Sequence, residues 1–254
     1  MAKEKKVDNQ SKKKPRFYRF IIFWIKLFYR KREHLGQENM PEEASIYVTN
    51  HAQYHMPFST EFYFPTKKYI WCIGEMMKAK EVPAYTYKDF WSHKPKWTKW
   101  FFKMLSHLIA HPAAYLMSNA DTIAVYKDTR MLGTYRETMR VLDEGYNVVL
   151  APEKPEPFND VVNEFQDKFI DVARLYYAKY KKCVSFVPVY NAGKLKKVVM
   201  GKPIKYDPKM NIDEQRKVIC DYLKEQITAM AKELPVHYVV PYDNIPKKLY
   251  KKNK

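Results

Sequence analysis

Along this chain, short runs of branched and aromatic residues alternate with longer stretches whose apolar positions recur every three or four residues. Residues 44–49, 67–73, 122–126, 147–151, 184–189 and 197–200 read as strands. Helical spacing begins near Pro57 and returns over 97–110, 131–144, 161–180 and 212–232. In the third of these Leu132, Tyr135, Met139 and Leu142 share a face, and Gly145 stops the helix. In the last, Ile212, Ile219, Leu223 and Met230 do the same, and Phe165, Phe169 and Tyr176 are assigned to the core by their spacing. Strands alternating with helices predict an α/β architecture, a single domain over residues 34–243 with a mixed sheet flanked by helices.

A different pattern precedes that domain. Over residues 17–30 nearly every position is large and apolar, while Arg16, Arg19, Lys26 and Arg30 fall on one narrow stripe. The longest uncharged run, 20–25, is far short of the roughly 20 residues of a membrane span. Residues 15–33 are therefore expected to form an amphipathic, membrane-associating anchor helix, with aromatics in the acyl boundary and cations on anionic headgroups. Packing of the same helix on its own domain is the alternative, and the two can coexist. Residues 1–14 are expected to be a disordered basic segment and 244–254 a basic tail. Trp97, Trp100, Phe101 and Phe102 make 97–110 either a second lipid contact or a core helix.

Charge narrows the class of partner. The net charge is +18, and residues 1–16, 17–32 and 244–254 each carry +5, so only +3 belongs to the rest. A nucleic-acid-binding domain carries its basic stripe on the folded body, so no nucleic-acid partner is expected. The distribution fits the cytoplasmic face of an anionic membrane, with the protein bound peripherally. Neither GxGxxG nor GxxxxGK[ST] occurs, which argues against a Gly-rich phosphate loop. Cys72, Cys183 and Cys220 lack CxxC spacing and read as reduced residues.

Candidate chemistry sits where strands end. Asn50-His51 follows the strand at 44–49, and Pro152-Glu153 follows the strand at 147–151. Strand ends line the ligand crevice of open α/β sheets, so an imidazole and a carboxylate at two of them suggest one site. His55, four residues beyond His51, reads as structural more readily than catalytic. The His51/His55 pair has no evident third ligand, so no metal is expected.

In order and spacing these residues resemble the glycerolipid acyltransferases that acylate lysophosphatidic acid and related acceptors. The family's first motif is Asn-His, four residues, then Asp, and Asn50-His51 fits its start. Its second is a strand ending in a basic residue, similar to Val125-Tyr126-Lys127 with Arg130 nearby. Pro152-Glu153 matches part of its third, Phe-Pro-Glu-Gly-Thr-Arg, and Val187-Pro188-Val189 its fourth. The resemblance covers about residues 17–205. It departs at Met56, where the family has Asp, and at Lys154-Pro155-Glu156, where it has Gly-Thr-Arg.

The resemblance implies a membrane-associated acyltransferase with His51 as general base. The acyl donor would be a thioester, acyl-CoA or an acyl carrier protein, with no further cofactor, and the acceptor a lipid hydroxyl. Asn50, Lys127, Arg130 and Glu153 would contact substrate. With Met56 unable to orient the imidazole, His55, Glu61 and Glu153 are the available substitutes, as is a backbone carbonyl. For Lys127 and Arg130 the alternative is that they are solvated charges at a helix start. Met56 and the lost Gly-Thr-Arg also motivate a second reading, a catalytically silent relative that binds lipid or scaffolds at the membrane surface.

Overall fold

The computed structural model describes residues 14–92, 94–156, 159–243 and 245–254. The expected disorder of residues 1–13 lies outside them. Lys14, the last residue of that segment, is fixed: its Nζ donates to the Asn119 carbonyl at 2.8 Å and to Asp121 at 2.7 Å. The elements run α1 (Arg16–Phe28), β1 (Glu33–Leu35), β2 (Ile46–Thr49), α2 (His55–Tyr63), β3 (Lys68–Ile73), α3 (Val82–Thr86), α4 (Lys99–Leu108) and α5 (Ala110–Asn119). They continue with β4 (Thr122–Val125), α6 (Met131–Asp143), β5 (Asn147–Leu150), α7 (Asp171–Tyr180), β6 (Ser185–Ala192), β7 (Lys197–Met200), β8 (Ile204–Lys205) and α8 (Ile212–Glu233).

The eight strands form one sheet in the order β1-β7-β6-β2-β5-β3-β4, with β8 also paired to β6. From β6 to β4 every neighbouring pair is parallel. β7 and β8 run antiparallel to β6, and β1 is parallel to β7, so the sheet is mixed. Period-two alternation sorts its two faces. Ile46, Val48, Val148, Leu150, Phe186 and Tyr190 join the apolar faces of α6, α7 and α8, including Val141, Leu142, Tyr176, Ile219 and Leu223, and Phe169 of the turn before α7. Tyr47, Val149, Val187 and Val189 face the other way, against Met56 of α2. Both faces of the central strands are covered, which explains why β2 and β5 are buried at every position.

Pro188 lies inside β6, where a residue without an N–H weakens a ladder. It falls where the antiparallel partner changes from β7 to β8, and its carbonyl accepts the Gly201 N–H at 2.9 Å. A Cβ on Gly201 would come within 3.0 Å of the Pro188 ring, so the small residue lets the two segments close up.

Three helices differ from expectation: the one expected over residues 15–33 ends at Phe28, where Tyr29 turns extended, and Glu33 opens β1. The stretch 97–110 extends into a second helix: α4 ends at Leu108 and α5 starts at Ala110. Pro112 has no N–H for the Leu108 carbonyl and its ring would strike that oxygen, so the axis breaks there. The helix expected from residue 161 begins at Asp171, preceded by one 3-10 turn. Val161, Val162 and Phe165 are buried as expected of apolar residues, but from a loop. Asn163 sets that loop, its side chain donating to the Lys154 and Glu156 carbonyls, each at 3.1 Å.

α1 is docked and exposed at once. Tyr18 is buried and donates to Glu61 at 2.8 Å, while Tyr29 just past the helix is buried and donates to the His55 carbonyl at 2.9 Å. Phe17, Phe20, Phe23, Trp24, Leu27 and Phe28 remain exposed, Phe28 at 83%. α4 and the turn before it likewise expose Trp97, Trp100, Phe101, Met104 and Leu108. No helix among the described residues is long and apolar enough to cross a membrane.

Candidate active site

Because β2, β5, β3 and β4 are parallel, their C-terminal ends share one edge of the sheet. His51 follows β2, Glu153 follows β5 and Lys127 follows β4, so all three sequence candidates stand on that edge.

Glu153 is the organising group. It is 2% exposed, and its two carboxylate oxygens accept two backbone N–H groups. Oε1 takes a very short bond from the His51 N–H, and Oε2 takes the Asn163 N–H at 2.8 Å. Burial raises this carboxyl to about 7, against the pull of the two N–H donors, which favour the charged form. Glu153 and His51 thus meet, but through the His51 backbone. No substrate-facing oxygen is left free of a protein partner.

The His51 ring is half-buried, and burial lowers it to about 4, so the imidazole is neutral at pH 7. Its Nδ1 is enclosed and has no hydrogen-bond partner among the described residues. Against the ring lies Tyr242, with centroids 4.6 Å apart and planes inclined by 37°. Sequence reasoning missed Tyr242, which is 191 residues away along the chain. It arrives on a hairpin-like excursion from the end of α8. The Val239 N–H donates to the Lys251 carbonyl at 2.9 Å, and Tyr238 and Lys252 pair as an antiparallel bridge. The described part of the basic tail, 245–254, is therefore folded against the domain, with Asn253 buried and donating to the Ala231 carbonyl at 2.6 Å.

The loop after His51 is also unusual. Ala52 and Gln53 both adopt left-handed backbone, at φ 45° and 51°, where a Cβ costs on the order of 1–2 kcal/mol per residue. Gln53 Nε2 donates to the Asp243 carbonyl at 2.9 Å and to Tyr250 Oη at 3.3 Å, joining the loop to the same hairpin.

The remaining candidates lie elsewhere or are engaged. Asn50, expected to contact substrate, is 2% exposed and bonds the backbone of Asn191: its Oδ1 accepts the N–H at 2.7 Å and its Nδ2 donates to the carbonyl at 3.3 Å. A short amide matches a peptide edge, so Asn50 extends the β2–β6 ladder by one rung. His55, offered as support for His51, accepts at Nδ1 from Arg32 at 3.2 Å and lies over Gly193, whose carbonyl takes the other Arg32 amino group at 2.9 Å. A Cβ at Gly193 would lie 2.6 Å from the His55 ring. Burial, then Arg32 and Lys194, lower His55 to about 4. Glu61 bonds Tyr18 with one oxygen and Lys68 Nζ with the other, at 2.6 Å, and so ties α1 to β3 instead of reaching His51. Met56 is buried with Tyr47, Ile70, Val149 and Val187. Lys127 and Arg130 are exposed. Arg130 forms a fork on Asp128 and sits 3.8 Å over the Tyr126 ring, whereas Lys127 opposes the upward shift that burial gives Asp89.

No family model matches the chain, and no curated protein matches it in sequence. Among solved structures, the chain is similar to the 1-acyl-sn-glycerophosphate (LPA) acyltransferase PlsC from Thermotoga maritima, with 16% identity and a TM-score of 0.47. The overlay covers 86% of this chain and 78% of that one.

Proposed function

We propose that this protein is an acyltransferase acting at an anionic membrane surface. It moves a fatty acyl group from a thioester donor, acyl-CoA or an acyl carrier protein, to a hydroxyl of a glycerolipid-type acceptor. The observation that carries the reading is a neutral imidazole at a strand end, its backbone clamped by the carboxylate from the neighbouring strand end. That pairing joins the first and third segments of the motif order quoted above.

In this reading His51 takes the proton of the acceptor hydroxyl as its oxygen attacks the thioester carbonyl. The tetrahedral intermediate then collapses, the C–S bond breaks, and the leaving thiolate recovers the proton. With Nδ1 enclosed, Nε2 is the nitrogen that meets the hydroxyl. Without a carboxylate on Nδ1 the imidazolium gains little stabilisation, so turnover is slower than a carboxylate-paired base would give. The exposed aromatics of α1, flanked by Arg19, Lys26 and Arg30, support peripheral binding to an anionic membrane surface, in this reading at its cytoplasmic face.

The unpartnered Nδ1 and the burial of Met56 among apolar side chains favour a second reading, a silent relative that binds lipid without chemistry. Incubation in anionic vesicles with labelled acyl-CoA or acyl carrier protein and a panel of lysophospholipids separates the two. Transfer by the wild type that His51→Ala abolishes is the expected result. Vesicle binding with no transfer from either donor refutes the enzyme and leaves the second reading.

A further inference from the structure

The His51 ring poses a mechanical problem. An imidazole whose Nδ1 makes no hydrogen bond is not held in one rotamer by any polar contact on that side. The loop that carries it contains two strained left-handed residues, Ala52 and Gln53, so the backbone beneath the ring also needs an external hold. Besides the Glu153 clamp on the His51 N–H, a hold on the ring and a hold on the loop come from one piece of chain. Tyr242 lies on the ring face, and the next residue, Asp243, accepts from Gln53, as Tyr250 does further along.

That piece of chain is itself fixed at its base. The His237 N–H donates to Asn253 Oδ1 at 2.9 Å, and the Asn253 N–H donates to the His237 carbonyl at 3.1 Å. The His237 ring meets Tyr190 Oη of β6 at 2.8 Å. Residues 237–243 and 245–253 are therefore closed on the sheet at their base, and Tyr242 reaches the candidate base.

We propose that Tyr242 is a positioning residue for His51, holding the imidazole by ring contact where no carboxylate binds its Nδ1, and that the described C-terminal segments 237–243 and 245–253 are a wall of the active site. The role assigned to His51 rests on the acyltransferase reading; the coupling of the two rings does not. Ring contacts of this geometry shift a rotamer population by on the order of tenfold. The hydroxyl of Tyr242 is not needed for this, so Tyr242→Phe retains the function and loss of the ring removes it.

The test is 15N NMR of the histidine side chains in the full chain held in micelles without substrate, the His51 signals being assigned by their loss in His51→Ala. In the wild type and in Tyr242→Phe, His51 is expected to show one sharp set of ring signals and to titrate well below 6.5. In Tyr242→Ala it is expected to show averaged signals and to titrate closer to 6.5. Tyr242→Leu keeps the apolar bulk of the hairpin tip without the ring, so it should average the His51 signals as the Ala variant does while still titrating low. One unaveraged set of His51 signals in Tyr242→Leu overturns the proposal. In vesicles, transfer by Tyr242→Leu should fall about tenfold in kcat with KM little changed, and Tyr242→Phe should restore it. Absence of transfer in the wild type would refute the enzyme reading alone, since the spectra report the ring contact with no turnover.

Discussion

Glu153 offers a perturbation whose sign changes with pH. In Glu153→Gln one oxygen still accepts a backbone N–H, but an amide NH2 faces the other donor, at His51 or Asn163. An unsatisfied buried donor costs about 1–3 kcal/mol, so below pH 5 the wild type should be the more stable by that amount. The ordinary pKa of 4.5 is raised to about 7 in the fold. Between those values the folded state binds more protons than the unfolded one, so the wild type loses stability as pH rises, by about 3 kcal/mol at 1.36 kcal/mol per unit. Gln does not titrate. The stability gap between the two proteins should therefore shrink by 2–3 kcal/mol, as an order of magnitude, from pH 5 to pH 8, and close or reverse. Neutral burial of His51 and His55 acts in the opposite direction below pH 6.5, but in both proteins alike, so the difference isolates Glu153. Urea unfolding followed by tryptophan fluorescence at several pH values measures it, with the slope m checked for constancy. A gap that stays constant across this range would falsify the assignment of a buried, neutral-leaning carboxyl at this position.

Two further substitutions probe the surroundings. Met56→Asp restores the residue type of the resembled motif but puts an unpaired carboxylate among Tyr47, Ile70 and Val149, so it should cost upwards of about 3 kcal/mol and give no faster transfer; wild-type stability with increased activity would show that position 56 reaches His51. Tyr18→Phe removes the hydroxyl that binds Glu61, a loss of about 1–2 kcal/mol that should speed tryptic cleavage at Arg30 and Lys31 some 5–30-fold through local opening, and an unchanged rate would mean that this bond does not hold α1.

Six strands were legible because their apolar residues are contiguous and short, and their edges agree with the expected ones to within two residues except at β6, which runs three residues further, to Ala192; the short β1 and β8 were not expected. What escaped the pattern has local causes. Val161, Val162 and Phe165 carry helical spacing, yet the Asn163 side chain competes for nearby carbonyls and keeps them in a loop. Pro112 was a readable break signal inside an otherwise continuous apolar stretch. In the site, His51 and Glu153 were legible as ends of two strands, which the structure shows to be neighbours. Asn50, His55 and Glu61 were not separable from them by sequence, because a polar residue beside a strand end looks the same whether it faces solvent or a backbone edge. Tyr242 carried no signal at all. Its position follows from the return of the chain after α8, a purely tertiary event.

The Glu61 junction has a consequence for how the molecule would meet a bilayer. Tyr18, Lys68, Asp121 and Lys14 converge there, so α1 is riveted to β3 and to the turn before β4 at the level of side chains. A helix joined by a slack linker would let the body swivel freely beneath it. Here side-chain bonds on both sides of the junction tie the helix to the sheet, so the two are joined as one body. If, as proposed, a bilayer receives the aromatics of α1, its plane would fix how far His51 stands from it, so reach to a substrate embedded there would be set by the geometry of the fold rather than by diffusion of a tethered domain.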